Sequence, residues 1–168
     1  DISEFAAPDS KIYLSPMIDC FDGKVIAWQT SKHPDYELVD SMLNRALNTL
    51  SDQEKRNIKS KDNPHTLTIH TDRGGHYRGG RWIETLNGKG IVRSMSRKGK
   101  SGDNAACEGF FGRMKAEIYY GRKWGNSREL EQAINDYIDF YNNKRIKVSL
   151  GGTTIKEHRE MLAKMYGK

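Results

Sequence analysis

Cysteine is nearly absent from this sequence, and long apolar runs are absent altogether. The 168 residues contain two cysteines, Cys20 and Cys107, which have neither the spacing of a metal-binding pair nor the number of a disulfide framework. Free thiols suit a reducing cytoplasm, which is where we expect the protein. No apolar run approaches the ~18 residues of a membrane helix, and no signal peptide is recognisable. We therefore expect no membrane partner.

Internal repeats, low-complexity linkers and abrupt shifts in composition are also missing. Residues 1–168 are therefore predicted to form one domain, and this length is sufficient to bury a sizeable core. The chain begins at Asp1 rather than at a methionine, so we expect a fragment that is truncated at its N-terminus.

Positive charge is the first feature that the sequence does have. Lys and Arg number 28 against 22 Asp and Glu, which gives a net charge of +6 and a pI near 9.3. This balance favours a polyanionic partner such as nucleic acid, although many basic domains bind nothing anionic. Charge alone therefore suggests a partner class without determining it.

The hydrophobic pattern predicts an α/β domain. Segments with the composition of strands occur at 1–5, 11–18, 24–30, 66–70 and 90–95. Helical spacing occurs at 36–50, 78–88, from Asp103 or Asn104 to about Tyr120, at 127–143, and after Thr154. The polar stretch 51–65 is interpreted as an exposed connection. This order predicts a five-stranded mixed sheet flanked by helices.

Two carboxylates stand out at the ends of predicted elements. Asp72 follows a strand directly and precedes Gly74-Gly75, and Glu108 lies one turn into a helix, with 35 residues between them. Hard cations such as Mg²⁺ bind carboxylate oxygens, and two such ions about 4 Å apart can act on a phosphodiester. A third ligand would be needed, and composition does not choose among the candidates, which are Asp1, Glu4, Asp19 and Asp22.

Basic residues surround the Glu108 helix in the sequence and favour contacts with phosphate groups. The segment 96–102 is a basic, glycine-containing loop. The members of this basic group that we propose as DNA-contacting are Arg97, Lys98, Lys100, Arg113 and Lys115. Asn104 is expected to cap the helix, with a contact in the site as the alternative.

Three segments closely resemble the integrase-core domain of bacterial insertion-sequence transposases. They are TIHTDRGGHY at 68–77, SMSRKGKSGDNAACEGFFGRMKAE at 94–117, and YIDFYNNKRIKVSLGG at 137–152. The opening DISEF also resembles the first-strand motif of that family. These proteins are DDE enzymes with a ribonuclease-H-like fold, related to retroviral integrases. The resemblance covers nearly the whole chain.

The resemblance implies the residues of the site and their chemistry. Asp1, Asp72 and Glu108 would be the catalytic and metal-binding triad, holding two Mg²⁺ ions for which Mn²⁺ can substitute. Lys115 lies two helical turns after Glu108 on the same face, where a basic residue of the family contacts DNA. Asn104 would support the site.

The function implied is metal-dependent DNA strand cleavage followed by transfer of the strand to a target. The partners would be transposon ends and target DNA, with a homo-oligomer on DNA, and an upstream DNA-binding region would be absent from this chain. Location would be the bacterial cytoplasm, on the nucleoid during activity. Two alternatives stay open, namely a ribonuclease-H-like nuclease that does not join strands and a catalytically silent DNA-binding or assembly module.

Overall fold

Three consecutive strands form an antiparallel sheet in the computed structural model, which describes residues 1–59, 67–99 and 101–166. These strands are β1 (Ser3–Ala6), β2 (Lys11–Ile18) and β3 (Val25–Ser31), paired in that order. Phe5 lies opposite Ile12, and Ile12 and Leu14 share one buried face because side chains alternate along a strand. The three strands therefore form an antiparallel meander.

Two further strands pair in parallel, namely β4 (Thr68–Thr71) and β5 (Val92–Met95). All five predicted strands exist, but no ladder joins β1 to β4 within the described ranges, so the hydrogen bonds form sheets of three and two strands. A cavity of about 610 Å³ is lined by residues of both β2 and β4. The helices between β4 and β5 are α3 (Gly75–Arg78) and α4 (Gly80–Gly88).

Apart from one helix within the stretch 51–65, the remaining helices follow the predicted order. They are α1 (Tyr36–Asn48), α2 (Asp52–Lys59), α5 (Ala105–Met114), α6 (Ser127–Asn143) and α7 (Ile155–Tyr166). A 3₁₀ turn (Ser101–Asn104) precedes α5, a π-helical turn (Lys115–Tyr119) follows it, and a 3₁₀ turn (Val148–Leu150) separates the short strands β6 (Ile146–Lys147) and β7 (Thr153–Thr154). No helix in these ranges is long and apolar enough to cross a membrane.

The interpretation of 51–65 as an exposed connection is wrong for its first part, which forms α2. The Ser51 hydroxyl accepts a hydrogen bond from the Glu54 N–H at 3.2 Å, and the Glu54 carboxylate accepts from the Ser51 N–H at 2.8 Å. This reciprocal capping box satisfies donors that begin a helix, and it can form in a polar, exposed segment. Residues 60–66 lie outside the described residues.

The apolar side chains form two clusters. The first joins the inner face of the antiparallel sheet to α5, α6 and α7, with Phe5, Leu14, Phe110 and Ile134 nearly inaccessible to solvent. The second joins α1, α4, β4 and the segment before β5; its members are Val39, Leu43, Ile69, Tyr77, Trp82, Leu86 and Ile91. The predicted apolar stripes of α1, α5 and α6 are the buried ones.

Helix α6 also binds the outer edge of β3 through polar side chains. The Asn142 amide donates to the Val25 carbonyl at 2.9 Å and accepts from the Val25 N–H at 3.0 Å. The indole N–H of Trp28 donates to Asn135 at 2.7 Å. These bonds satisfy backbone and indole groups that β2 does not reach.

Candidate active site

Asp72 lies at the carboxyl end of β4, where the chain turns sharply into α3. Its Oδ1 accepts a hydrogen bond from the Gly74 N–H at 3.1 Å, and the side chain is half-buried. A Cβ atom on Gly74 would lie 3.1 Å from the same oxygen and 3.5 Å from the ring of Tyr77. Glycine at this position therefore allows the backbone to approach the carboxylate closely.

Asp1 precedes β1 and is joined to the segment that carries Glu108. The Asn104 side-chain amide donates to Asp1 Oδ2 at 2.9 Å, and the Ile2 N–H donates to Asp1 Oδ1 at 2.8 Å. Asn104 occupies the N-cap position of α5 as expected, but its side chain makes no capping hydrogen bond. The 3₁₀ turn runs directly into α5, and the amide is directed to Asp1 instead.

Glu108 is exposed in the first turn of α5, next to Cys107. Burial raises the pKa of the Cys107 thiol, the α-amino group of Asp1 opposes that rise, and the negative charges of Asp72 and Glu108 add to it. Asp72 and Glu108 therefore both lie close enough to Cys107 to influence the ionisation of its thiol.

The other candidates for a third ligand are engaged elsewhere. Glu4 pairs with Lys11 at 2.8 Å on the exposed side of β1. Asp19 and Asp22 both bind the Arg159 guanidinium of α7 at 2.6 Å. Among the four candidates, Asp1 is the one whose carboxylate contacts a residue of the Glu108 segment.

The three carboxylates do not form a ready coordination shell. Over residues 1–59, 67–99 and 101–166, no three His, Cys, Asp or Glu side chains are grouped closely enough to hold a metal ion. The donor chemistry nevertheless suits a hard divalent cation, because all three side chains offer oxygen atoms. Holding one ion among them would require the three side chains to converge.

The predicted basic contacts have different environments. Arg97 is bound to Asp103, with Nε to Oδ2 at 3.0 Å and Nη2 to Oδ1 at 2.9 Å. Lys98 and Arg113 are exposed. The Lys115 ammonium lies 5.1 Å from the centroid of the Phe5 ring on β1. Lys100 lies outside the described residues.

Sequence reasoning missed two features near the site. The sequence indicates Asp103 only as a possible cap, yet it receives three hydrogen bonds from Arg97, which hold the pKa of its carboxyl group below the ordinary value. His70 contacts the hydroxyl of Ser94 on β5 at 2.8 Å and that of Ser96, just after the strand, at 3.0 Å. The sequence does contain a signal for the Arg97–Asp103 pair, because residues of opposite charge stand at the two ends of a glycine-containing loop.

Comparisons with known proteins show which family the chain resembles. Two integrase core domain models match the chain, one over residues 1–101 and the other over 108–162. The chain is 46% identical to a probable transposase for insertion sequence element IS1353 of Shigella flexneri, over 98% of this chain and 30% of that protein. It is 40% identical to the putative transposase InsK for IS150 of Escherichia coli K12, over 95% and 52%.

A third relative is covered more fully. The chain is 35% identical to an uncharacterized transposase-like protein of Haemophilus influenzae, over 95% of this chain and 68% of that protein. The chain thus spans between 30% and 68% of the lengths of these three relatives.

Solved structures of retroviral integrase cores share the fold. The catalytic core domain of BIV integrase aligns with a TM-score of 0.63 at 16% identity, over 98% of this chain and 95% of that one. The HTLV-2 integrase catalytic core domain in complex with magnesium aligns with a TM-score of 0.60 at 18% identity, over 94% and 92%. The predicted ribonuclease-H-like α/β fold is therefore confirmed. Since an integrase core model matches more than half of the chain and transposase relatives align with nearly all of it, this chain belongs to the integrase core domain family found in insertion-sequence transposases.

Proposed function

We propose that this domain is the catalytic core of a DNA transposase, in which Asp1, Asp72 and Glu108 act together on a phosphodiester. The observation that carries the proposal is the Asn104–Asp1 hydrogen bond, since it joins the start of the first strand to the Glu108 segment. The negative charges of Asp72 and Glu108 both raise the pKa of the Cys107 thiol, which supports the same grouping. The reaction would be strand cleavage followed by joining of the new 3′ hydroxyl to target DNA.

The three carboxylates would hold Mg²⁺, for which Mn²⁺ can substitute. Bound divalent ions supply activation of the attacking oxygen and stabilisation of the leaving one. The HTLV-2 integrase core that shares this fold was solved in complex with magnesium, which supports the same class of ion here. The contribution of this chain is positional, because Gly74 and Asn104 hold two of the three carboxylates in place before any ion binds.

DNA would lie along the exposed basic residues next to the site. Lys98 and Arg113 are exposed and therefore accessible to phosphate groups. Lys115 lies beside β1, over Phe5, on the same side of α5 as Glu108. Lys100 belongs to the same proposal by its position in the sequence. Two DNA ends would require more than one protomer, so we expect a homo-oligomer on DNA.

The decisive experiment is Glu108→Gln in the full-length protein, assayed for cleavage of labelled element-end DNA and for joining to a target. We expect both products to fall by at least about 100-fold, because the change removes a charged ligand while retaining the size of the side chain. Glu4→Gln is the matched control, since Glu4 pairs with Lys11 and should be dispensable.

The products separate the remaining alternatives. Shortened strands without joined ones would indicate a nuclease. DNA binding that depends on salt but is unaffected by Mg²⁺ and by Glu108→Gln would indicate a silent binding module. Equal cleavage by the wild-type protein and by Glu108→Gln would contradict the proposed site.

A further inference from the structure

Arg97 directs three donors to one carboxylate across the loop between β5 and α5. Its backbone N–H and Nε donate to Asp103 Oδ2 at 2.9 and 3.0 Å, and its Nη2 donates to Oδ1 at 2.9 Å. The fork of the guanidinium matches the two oxygens of the carboxylate. Since the backbone of Arg97 also takes part, the pair fixes the main chain as well as the side chains.

The two ends of this loop are anchored to the residues around the carboxylates. On one side, the Ser96 N–H donates to the carbonyl of Thr71 at 2.9 Å, and Thr71 directly precedes Asp72. On the other side, Asn104 follows Asp103 and donates to Asp1. A series of contacts therefore runs from β4, which Asp72 follows, through the Arg97–Asp103 pair to Asn104. Asn104 binds Asp1 and directly precedes the helix that contains Glu108.

We propose that Arg97 and Asp103 are a positioning pair that holds Asp1 and Glu108 in register with Asp72, and that Arg97 does not act as a DNA contact. The inference rests on the proposed function of those carboxylates. It revises the expectation from sequence, in which Arg97 belongs to the DNA-contacting group. The guanidinium already uses Nε and Nη2 on Asp103, so a phosphate group would have to compete for them.

Because Arg97 and Asp103 are partly exposed, a positioning role can be distinguished from a contribution to global stability. The Arg97 side chain is 76% exposed and that of Asp103 is 23% exposed. Ion pairs this exposed contribute little to global stability, so their loss should shift Tm by less than about 3 °C. Positioning groups behind metal ligands, by contrast, typically change metal affinity or activity on the order of 10-fold or more.

Arg97→Lys and Asp103→Asn in the full-length protein test the proposal. Lys retains the positive charge but cannot reproduce the two-nitrogen fork. We expect each variant to lower Mn²⁺-dependent cleavage, or to raise the Mn²⁺ concentration for half-maximal cleavage, on the order of 10-fold. The double variant should be no worse than either single one, because both remove the same contact. The DNA affinity of each variant in the presence of a metal chelator should stay within about twofold of the wild-type affinity.

If Arg97 instead contacts DNA, the same two variants should have different effects on cleavage and on DNA affinity. If Arg97 binds phosphate, Arg97→Lys retains most of the affinity and the cleavage, and Asp103→Asn strengthens DNA binding by releasing the guanidinium. Either result would overturn the proposal, as would losses that multiply in the double variant. Lys98→Gln is the charge-matched comparison, and it should weaken DNA binding without changing the Mn²⁺ dependence.

Amide hydrogen exchange provides a readout that does not depend on activity. We expect peptides covering residues 102–108 to exchange several-fold faster in both variants, with exchange in α6 unchanged. Unchanged exchange at 102–108 would overturn the positioning role. If the wild-type protein and Glu108→Gln are equally inactive, the proposed function fails, whereas normal cleavage by Arg97→Lys beside an inactive Glu108→Gln rejects only the positioning pair.

Discussion

At the scale of single residues, the position of the Asp72 carboxylate depends on Gly74, where a side chain would approach it closely. The Gly74 N–H donates to Asp72, and the position of a Gly74 Cβ lies 3.1 Å from the same oxygen. Gly75 differs, because a Cβ there would meet no atom within 4 Å. Adjacent glycines therefore have unequal roles.

Gly74→Ala should misplace the Asp72 carboxylate by a few tenths of an ångström and reduce strand cleavage by roughly 10-fold, because catalysis is sensitive to such shifts. Cleavage rates at saturating Mn²⁺ would measure the effect. Gly75→Ala is the matched control and should retain cleavage. Equal rates for the two variants would show that the close approach at Gly74 has no catalytic consequence.

At the scale of elements, the turn between β2 and β3 is fastened to the last helix by a buried charge. Arg159 of α7 donates through Nε to Asp22 Oδ2 at 2.6 Å, and the Asp22 side chain is inaccessible to solvent. Burial by itself raises the pKa of Asp22, but the Arg159 guanidinium and the Lys24 N–H outweigh it, so that the net pKa lies below the ordinary 3.8. The folded state therefore favours the ionised carboxylate.

Asp22→Asn should lower the free energy of unfolding by about 2 kcal/mol at neutral pH, because Arg159 loses its buried, charged partner. Since folding depresses the pKa of Asp22, the wild-type advantage is fully present above the unfolded-state pKa and is lost as pH falls through the folded one. Urea unfolding at neutral pH measures the stability difference between the wild-type protein and Asp22→Asn. Urea unfolding below about pH 4 measures how that difference declines as Asp22 is protonated.

Asp19→Asn provides the comparison for this pair. Asp19 binds the same guanidinium, but its side chain is 36% exposed, so its loss should affect stability less. A pH-independent difference between the wild-type protein and Asp22→Asn would contradict the assignment of the effect to ionisation.

At the scale of the whole molecule, the net charge of +6 should appear in the salt dependence of DNA binding. Lys98→Gln should weaken binding to any sequence and reduce the slope of log K against log salt concentration by about one. Lys164→Gln removes the same charge from the last turn of α7 and should leave the slope nearly unchanged. Equal slopes for both variants would indicate a diffuse field rather than contacts beside Glu108.

Sequence reasoning succeeded where structure is determined locally. The apolar stripes of α1 and α6 predicted the buried faces of these helices, and Asp35, directly before the helical pattern, caps α1 through the Leu38 N–H. The helix α2 was missed although its capping box, Ser51 and Glu54, stands in the sequence. That segment contains a single apolar residue, Ile58, so hydrophobic periodicity does not reveal the helix.

Contacts between distant residues could not be predicted in the same way. Asn104 meets Asp1 across 103 positions, and Asp9 accepts from the Ser127 N–H across 118. Neither contact has a local pattern, because each depends on how the sheet and helices pack. The resemblance predicts that Asp1, Asp72 and Glu108 belong together and that Asn104 supports them, but it does not predict that the Asn104 amide binds Asp1.

The amide of Asn142 has a consequence for how the protein behaves at high concentration. Strand β3 is an edge strand, and exposed edges are templates on which other chains can aggregate. Because Asn142 occupies both the N–H and the carbonyl of Val25, the first residue of that edge cannot recruit a foreign strand. A side chain on a helix thus closes the start of this edge to strand addition without an additional strand.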